Sequence, residues 1–283
     1  MGKVKIKRKS TLIDMTAMSD VTVLLLTFFM LTSTFLQKEP VIVETPSSVQ
    51  EQKVPTSNVV NVLVSPHGEV FLAIAGEADP DASANYYKEQ DPSLTAKDLQ
   101  KKKGIWASDS IRIAAIKRAI AEYNATIDAG QRSLGPKVTD LTEDEIARYA
   151  KSGNINIPIA DIKKFVNLSQ SDQDKVFTEF FKLSDEEKEQ YNKNPNNIRV
   201  GIPINIDPEH KKTNEFQIWM KAIRQVSQSD YPMLYDALKK GEGIAVKADK
   251  STDYSKMHTV MDNLQTINMT RFTLMTALKS QDQ

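Results

Sequence analysis

The chain has 283 residues, balances 37 Lys and Arg against 37 Asp and Glu, and contains no cysteine. A balanced charge gives no general attraction to a nucleic-acid backbone, and the lack of thiols excludes a disulfide framework and any thiolate metal site. Pattern along the chain therefore has to carry the reading, starting from the N-terminus.

Residues 1–12 form a basic tail, with Lys3, Lys5, Lys7, Arg8 and Lys9 and no acid. Residues 13–36 read as a transmembrane helix. From Met15 to Gln37 the only charged side chain is Asp20. At ~1.5 Å per residue that stretch reaches roughly 33 Å, enough for a ~30 Å hydrocarbon core. A carboxylate in such a place costs on the order of 2.5–3.5 kcal/mol, and hydrocarbon favours the neutral acid, so the group is suited to taking up and releasing a proton. The competing arrangement has Ser19 and Asp20 capping a span over 21–36, which is only sixteen residues and short of the ~17–25 a span needs. On a helical wheel Thr16, Ala17, Asp20, Thr27, Leu31 and Thr34 lie within about 60° of Asp20, a small and hydroxyl-rich stripe suited to helix contact or a hydrated path. The basic flank places the N-terminus in the cytoplasm. The apolar stretch is longer than a signal-peptide core and TSTFLQKEP has no small-x-small cleavage site, so a retained single-pass anchor is expected.

Residues 37–57 read as a linker, extended by Pro40, Pro46 and Pro55. Within it Val41-Ile42-Val43 either pairs with a neighbouring strand or serves as spacer, the spacer being preferred. Two β-rich runs follow, 58–65 (NVVNVLVS) and 69–75 (EVFLAIA), joined by Pro66-His67-Gly68 in a predicted hairpin. Residues 76–197 read as a polar helical insertion, most loop-like over 79–103. Thr142-x-x-Glu145, Ser169-x-x-Asp172 and Ser184-x-x-Glu187 are capping boxes or near relatives that start its helices. Beyond it the pattern predicts a strand over 198–206 (IRVGIPINI), a helix over 214–228, a strand over 244–248, a helix over 254–267 and a strand over 271–278. Tyr254, Met257, Val260, Met261, Leu264 and Ile267 are placed on the buried stripe of the fourth of these. The fold class expected is a single N-terminal transmembrane helix plus a periplasmic α+β domain over 58–75 and 198–278. That domain is a small mixed sheet with helices on one face, and it carries the helical insertion. Since loop closure costs little more for a longer loop, the insertion is expected to be dispensable for the fold.

Catalytic constellations are missing from the pattern, and no enzyme activity, cofactor or metal is expected. His67, His210 and His258 are scattered without zinc-ligand spacing, and no Gly-x-Ser-x-Gly occurs. Gly241-x-Gly243 precedes a strand, so it reads as a turn and not a phosphate loop. Asp249, between a strand and a helix, reads as a helix-start residue.

A basic tail, an Asp-bearing span, a Pro-rich linker and a small α+β domain together resemble the ExbD/TolR family. The stretch from Ile13 to Ser33, with Asp20 followed by Val, an aliphatic run and Phe28-Phe29-Met30, is similar to the family's membrane signature. The run Ala245-Val-Lys-Ala-Asp249-Lys, then Tyr254 and Val260-Met-Asp-x-Leu264, resembles its closing motif. The likeness covers about 11–75 and 198–278. Where the family has a proline shortly before the Asp, this chain has Ala17-Met18, and its long insertion resembles enlarged versions from Bacteroidetes.

The resemblance implies a subunit of a motor driven by the proton-motive force, single-pass in the inner membrane with its C-terminal domain in the periplasm. It implies a homodimer inside a ring of ExbB-like multi-span subunits, a TonB-like periplasm-spanning protein as partner, and outer-membrane transport as the output. Asp20 takes the proton-carrier position, and Thr16, Thr27 and Thr34 are added from the wheel as its supporting polar face. A TolR-like or gliding-type motor subunit, or a passive membrane-anchored adaptor, are the alternatives. A flagellar-stator reading lacks its peptidoglycan-binding signature.

Overall fold

The computed structural model describes residues 15–32, 45, 47–48, 55–76, 84–85, 88–89, 91–103, 108–205, 212–275 and 277–278. The chain divides into two compact units, Met1–Lys38 and Glu39–Gln283. Among the described residues the first holds one helix, α1 (Met15–Thr32). The second is built on a five-stranded mixed sheet.

Strands β2 (Val59–Val64) and β3 (Val70–Ala75) form the antiparallel hairpin that their β-branched runs demand, in register from Val59↔Ala75 to Val64↔Val70. The turn between them closes with Ser65 N–H on the Glu69 carbonyl at 2.9 Å, and Gly68 supplies the left-handed backbone at φ 96°. β5 (Ile244–Ala248) lies parallel to β2, and β6 (Thr273–Leu274) parallel to β5; with β4 (Asn154–Ile155) at the other edge the order is β4-β3-β2-β5-β6. A further pair joins β1 (Ser47–Ser48) to β7 (Ala277–Leu278) in parallel. The residues Val41, Ile42 and Val43 lie outside the described residues.

The sheet departs from expectation in three places. The run over 198–206 forms no strand in its described part; Ile202 alone bridges to Val70, donating its N–H to the Val70 carbonyl at 2.8 Å. Gly201 turns left-handed at φ 87° and Pro203 has no N–H to continue a ladder, so the apolar alternation stops short of a strand. The run over 271–278 breaks into β6 and β7. The third departure is β4 (Asn154–Ile155), which comes from the supposed insertion and pairs antiparallel with β3.

The helices show the same pattern of partial agreement. Thr142 and Glu145 close a capping box at α4 (Glu143–Lys151), and Ser184 and Glu187 close another at α7 (Asp185–Lys193). Ser169 caps α6 (Gln170–Phe180) through the Asp172 N–H. The stretch expected to be loop-like contains α2 (Ala96–Lys103), started by Thr95 accepting from the Asp98 N–H while its own N–H and hydroxyl go to the Asp98 carboxylate. The short α5 (Ile162–Val166) follows a 3-10 turn at Ile159–Asp161. Asn214 caps α8 (Glu215–Asp230), and Gly241 ends α9 (Pro232–Lys240) in the left-handed conformation at φ 92°. A side chain at Gly243 would meet the Leu238 backbone nitrogen at 2.5 Å, so Gly241-x-Gly243 is a packing turn. In α10 (Tyr254–Thr266) Val260 and Leu264 are buried, but Tyr254 is 74% exposed and does not join the stripe assigned to it. Asp249 accepts from the Ser251 N–H at 2.9 Å, shaping the turn that leads towards α10.

The core explains why the stretch 76–197 is not a passenger. Strand alternation turns Val60, Val62 and Val64 to one face with Leu72, Ile74, Ile244 and Val246. Against that cluster pack Phe216, Trp219, Met220 and Ile223 of α8, and Ile111, Ala115, Ile116, Ala119 and Tyr123 of α3 (Ser108–Asp128). Arg112, 4% exposed, donates from Nε to the Ala150 carbonyl at 2.7 Å and from a terminal nitrogen to the Ile74 carbonyl at 3.2 Å. It thereby ties α3, the end of α4 and the end of β3 together. The opposite face is also partly covered. Leu63 and Phe71, register partners in the hairpin, pack with Phe180 and Val200. The sheet is therefore mixed and helix-covered as expected, but not on one face alone.

Because α3 fills the core that α8 also fills, replacing 77–197 by a short Gly/Ser linker is expected to give an aggregated, non-cooperative product, against the dispensability expected from loop entropy. The single change Ile116→Ala should cost about 2–5 kcal/mol in denaturant unfolding, whereas an effect below about 0.5 kcal/mol would return the helix to the periphery.

Candidate functional site

The unit that carries the expected proton group is α1. Its Leu, Met, Ala and Phe content favours helix, and the β-branched residues Val21, Thr22 and Val23 are too few to oppose it. Val21, Leu24, Leu26, Phe28 and Phe29 are each between 57% and 62% exposed, so apolar side chains point outward all round the helix. A helix apolar on every side is one whose surroundings are protein core or lipid. At ~1.5 Å rise per residue its eighteen residues reach roughly 27 Å. Among the described residues, no helix is long and apolar enough to cross a membrane. Residues 13, 14 and 33–36 of the expected span lie outside the described residues.

Asp20 sits exposed on this helix, a turn and a half from its N-terminal end. The wheel that singled it out needs one amendment: Val23 and Leu24, at about 60° and 40° from Asp20, share its face, so the stripe is less uniformly polar than the hydroxyls alone indicate. Thr27 donates its hydroxyl to the Leu24 carbonyl at 2.9 Å. Thr22, a hydroxyl not included in the stripe, bonds back in the same way to Met18 and Ser19 carbonyls at 2.8 and 2.9 Å. These bonds satisfy the threonine donors within the helix, as happens where no water is at hand. Asp20 cannot bond back in this way, since an ionised carboxylate accepts and has nothing to donate to a helix carbonyl. The side chains of Thr16 and Thr34 lie outside those described.

Among the described residues no group of three His, Cys, Asp or Glu could hold a metal ion. His67 pairs with Asp185, and His258 with Asp262 at 2.8 Å; His210 lies outside the described residues. An open depression of about 540 Å³ at the C-terminal end of α3 is lined by Glu122, Thr126, Gly130, Gln131, Lys212 and Thr213. A buried ion pair, Lys188 with Glu69 at 3.8 Å, rests under Phe180 and Phe181, whose ring centres are 5.6 and 5.7 Å from the ammonium. It fastens α7 to the hairpin turn and has no access to a substrate.

Residues 7–132 match the family model described as biopolymer transport protein ExbD/TolR. The matched stretch takes in α1 with Asp20, the β2–β3 hairpin and α3, and it ends before the 245–264 run in which the closing-motif resemblance was noted. No curated protein and no solved structure matches the chain.

Since the Thr27 donor is engaged inside α1, only the acceptor lone pairs of its oxygen can serve another helix. Thr27→Val is therefore expected to weaken association of α1 with a helical partner by about 0.6 kcal/mol, and by no more than ~1.7. Thr27→Ser should leave it unchanged. Dissociation of the purified assembly in detergent reads this directly, and a larger loss would mean that the hydroxyl donates outward.

Proposed function

From the membership of the ExbD/TolR family that the match over 7–132 supports, and from that family's general role in energising biopolymer transport, we propose that this chain is a proton-motive-force motor subunit of an ExbB-ExbD-TonB-type complex. The observation that carries the reading is Asp20, the one charge on a helix whose described apolar side chains are all turned outward. In this reading residues 13–36 span the inner membrane, 1–12 lie in the cytoplasm, and 37–57 link the span to a periplasmic domain formed by 58–75 and 198–278, with 76–197 inserted. Asp20 is the proton carrier, with Thr16, Thr27 and Thr34 on its face. The partners are a multi-span ring subunit around a dimer of this chain and a TonB-like protein beyond it.

The mechanism follows from the cost of charge. Ionised, Asp20 keeps α1 against a polar surface of the ring; protonated, it lets the helix pass an apolar one. A membrane potential supplies ~2.3 kcal/mol per charge per 100 mV, the same order as the ~2.5–3.5 kcal/mol insertion cost, so alternate protonation can ratchet the helix. Force then passes along the Pro-rich linker to the folded domain. A TolR-like or gliding-type complex would use the same step for envelope or motility work, and co-purification of the multi-span and periplasm-spanning partners separates these systems. A passive adaptor would have no need of Asp20.

Asp20→Asn keeps size and hydrogen bonding but removes the charge change. It is expected to abolish energised transport in cells at unchanged protein level and assembly; transport at the wild-type rate would sink the proton-carrier role. Topology is tested separately. Cysteines placed at Ser57 or Ser133 should react with a membrane-impermeant thiol reagent in intact spheroplasts, and one at Ser10 should not. The native chain has no cysteine to confuse the readout, and labelling at Ser10 alone would reverse the orientation.

A further inference from the structure

The α6–α7 hairpin is attached to the sheet in a different way from the helices of the main core. α3 buries Ile111, Ala115, Ile116, Ala119 and Tyr123, whereas the one buried residue of α6 is Phe180 and that of α7 is Lys188. The two helices cover the sheet face opposite α3 and α8, where Leu63, Phe71, Phe180 and Val200 make a small cluster apart from the main one. Val176, Phe177, Phe181 and Tyr191 reach its edge but stay partly open to solvent. A helix shorter than ~12–15 residues is marginal alone in water, and α7 has nine, with Asp185, Glu186, Glu187 and Glu189 exposed. Its place therefore depends on what Lys188 gains by docking.

That gain is poor. Lys188 is 4% exposed, and among the described residues its ammonium has no hydrogen-bond partner. One Glu69 carboxylate oxygen lies 3.8 Å away, beyond hydrogen-bond reach, and the other takes the Ser65 hydroxyl. The rings beside the ammonium, Phe180 and Phe181, belong to the hairpin itself and travel with it. The exposed pair of His67 and Asp185 is screened by solvent and adds little. A buried ion pair is often no better than apolar side chains of the same volume, because dehydration cancels the attraction. The base of the hairpin, by contrast, is well bonded. Gln173 donates to the Phe165 and Leu168 carbonyls, both at 3.2 Å, and Lys164 to the Pro195 carbonyl at 2.9 Å. Within the hairpin Phe180 meets Phe181 and Tyr191 edge-on, with ring centres 5.5 Å apart in each pair. The result is a coherent unit, tied at its ends and weakly held over the β2–β3 turn.

We propose that the α6–α7 hairpin is a clasp, which swings off the β2–β3 turn on its base while the main core stays closed. Opening returns the Lys188 ammonium to water and bares Leu63, Phe71 and Val200, so the apolar surface exposed is limited to that small cluster. Units with few buried apolar contacts open at lower free energy than the fold as a whole. A lysine where an apolar anchor would fit keeps the closed state from becoming permanent. The clasp stands on the packing of the second unit and not on the motor reading.

The chain lacks cysteine, so neighbouring positions of one strand can report on the two sheet faces separately. Leu63→Cys lies under the clasp and Val62→Cys in the main core. Each variant of the full-length chain, in detergent, is treated with a thiol reagent in rising denaturant below the unfolding transition, and its rate is scaled to that of the unfolded chain. Leu63→Cys should react at least about tenfold faster than Val62→Cys, and its rate should barely rise with denaturant, because a local opening exposes little surface. Val62→Cys waits for global unfolding, so its rate should climb steeply. Adding Glu69→Gln, which strands the ammonium, should speed the reaction of Leu63→Cys on the order of tenfold. Adding Glu69→Gln and Lys188→Met together should return it to the parent rate or below. If Leu63→Cys does not fold, Val200→Cys takes its place. Equal rates and slopes on the two faces, no acceleration by Glu69→Gln, or a double variant as fast as Glu69→Gln alone would overturn the clasp.

Discussion

Taking a charge out of water costs several kcal/mol per ion unless a partner or a set of hydrogen bonds replaces the lost hydration. The architecture of this chain follows how that cost is met at each buried charge. Arg112 meets it with two backbone carbonyls and the Asp109 carboxylate, and so fixes α3 against the ends of α4 and β3. Lys188 meets it with Glu69 and two aromatic faces, and so fixes α7 to the hairpin turn. Asp161 meets it with Arg199. Glu215 meets it in part, through the Ile159 N–H.

The same reasoning joins sheet and helices into one body. Every strand of the central trio is buried on the face that α3 and α8 cover, with Val60, Val62, Val64, Leu72 and Val246 all at 1% exposure or less. Neither helix could leave without exposing several aromatic or branched side chains worth about 1.5–3 kcal/mol each in burial. That is the opposite of a tethered motor head with a detachable ornament. A force delivered to this body through residues 37–57 would act on a single packed unit, in which strain at one buried polar contact is felt at its neighbours.

Much of this was legible in the sequence, and the remainder failed for physical reasons that can be named. The hairpin was legible because β-branched runs flanked a Pro-His-Gly turn, and the capping boxes because Ser or Thr stood three residues before an acid. Helix α3 was not singled out, although Ile111, Ala115, Ile116, Ala119 and Tyr123 have helical spacing; the charged and small residues between them thin the apolar signal. The run over 198–206 alternated like a strand, but Gly201 and Pro203 denied it a ladder. Tyr254 fitted the stripe of α10 by spacing, yet stands at the first turn, beyond the edge of the core. Asp20 stands out in the sequence by charge and apolar context, and the structure places it exposed on α1. The burial of Glu215 was not legible, because an acid after an Asn cap ordinarily signals a solvated helix start, and only tertiary packing buries it.

The account rests on Asp20 carrying protons through the membrane, and proton flux measures that most directly. The chain, co-purified with the multi-span partner proposed for it and reconstituted in liposomes, should conduct protons down an imposed potential, as reported by an interior pH dye. An otherwise intact complex bearing Asp20→Ala should conduct none. Equal flux in the two complexes would contradict the account.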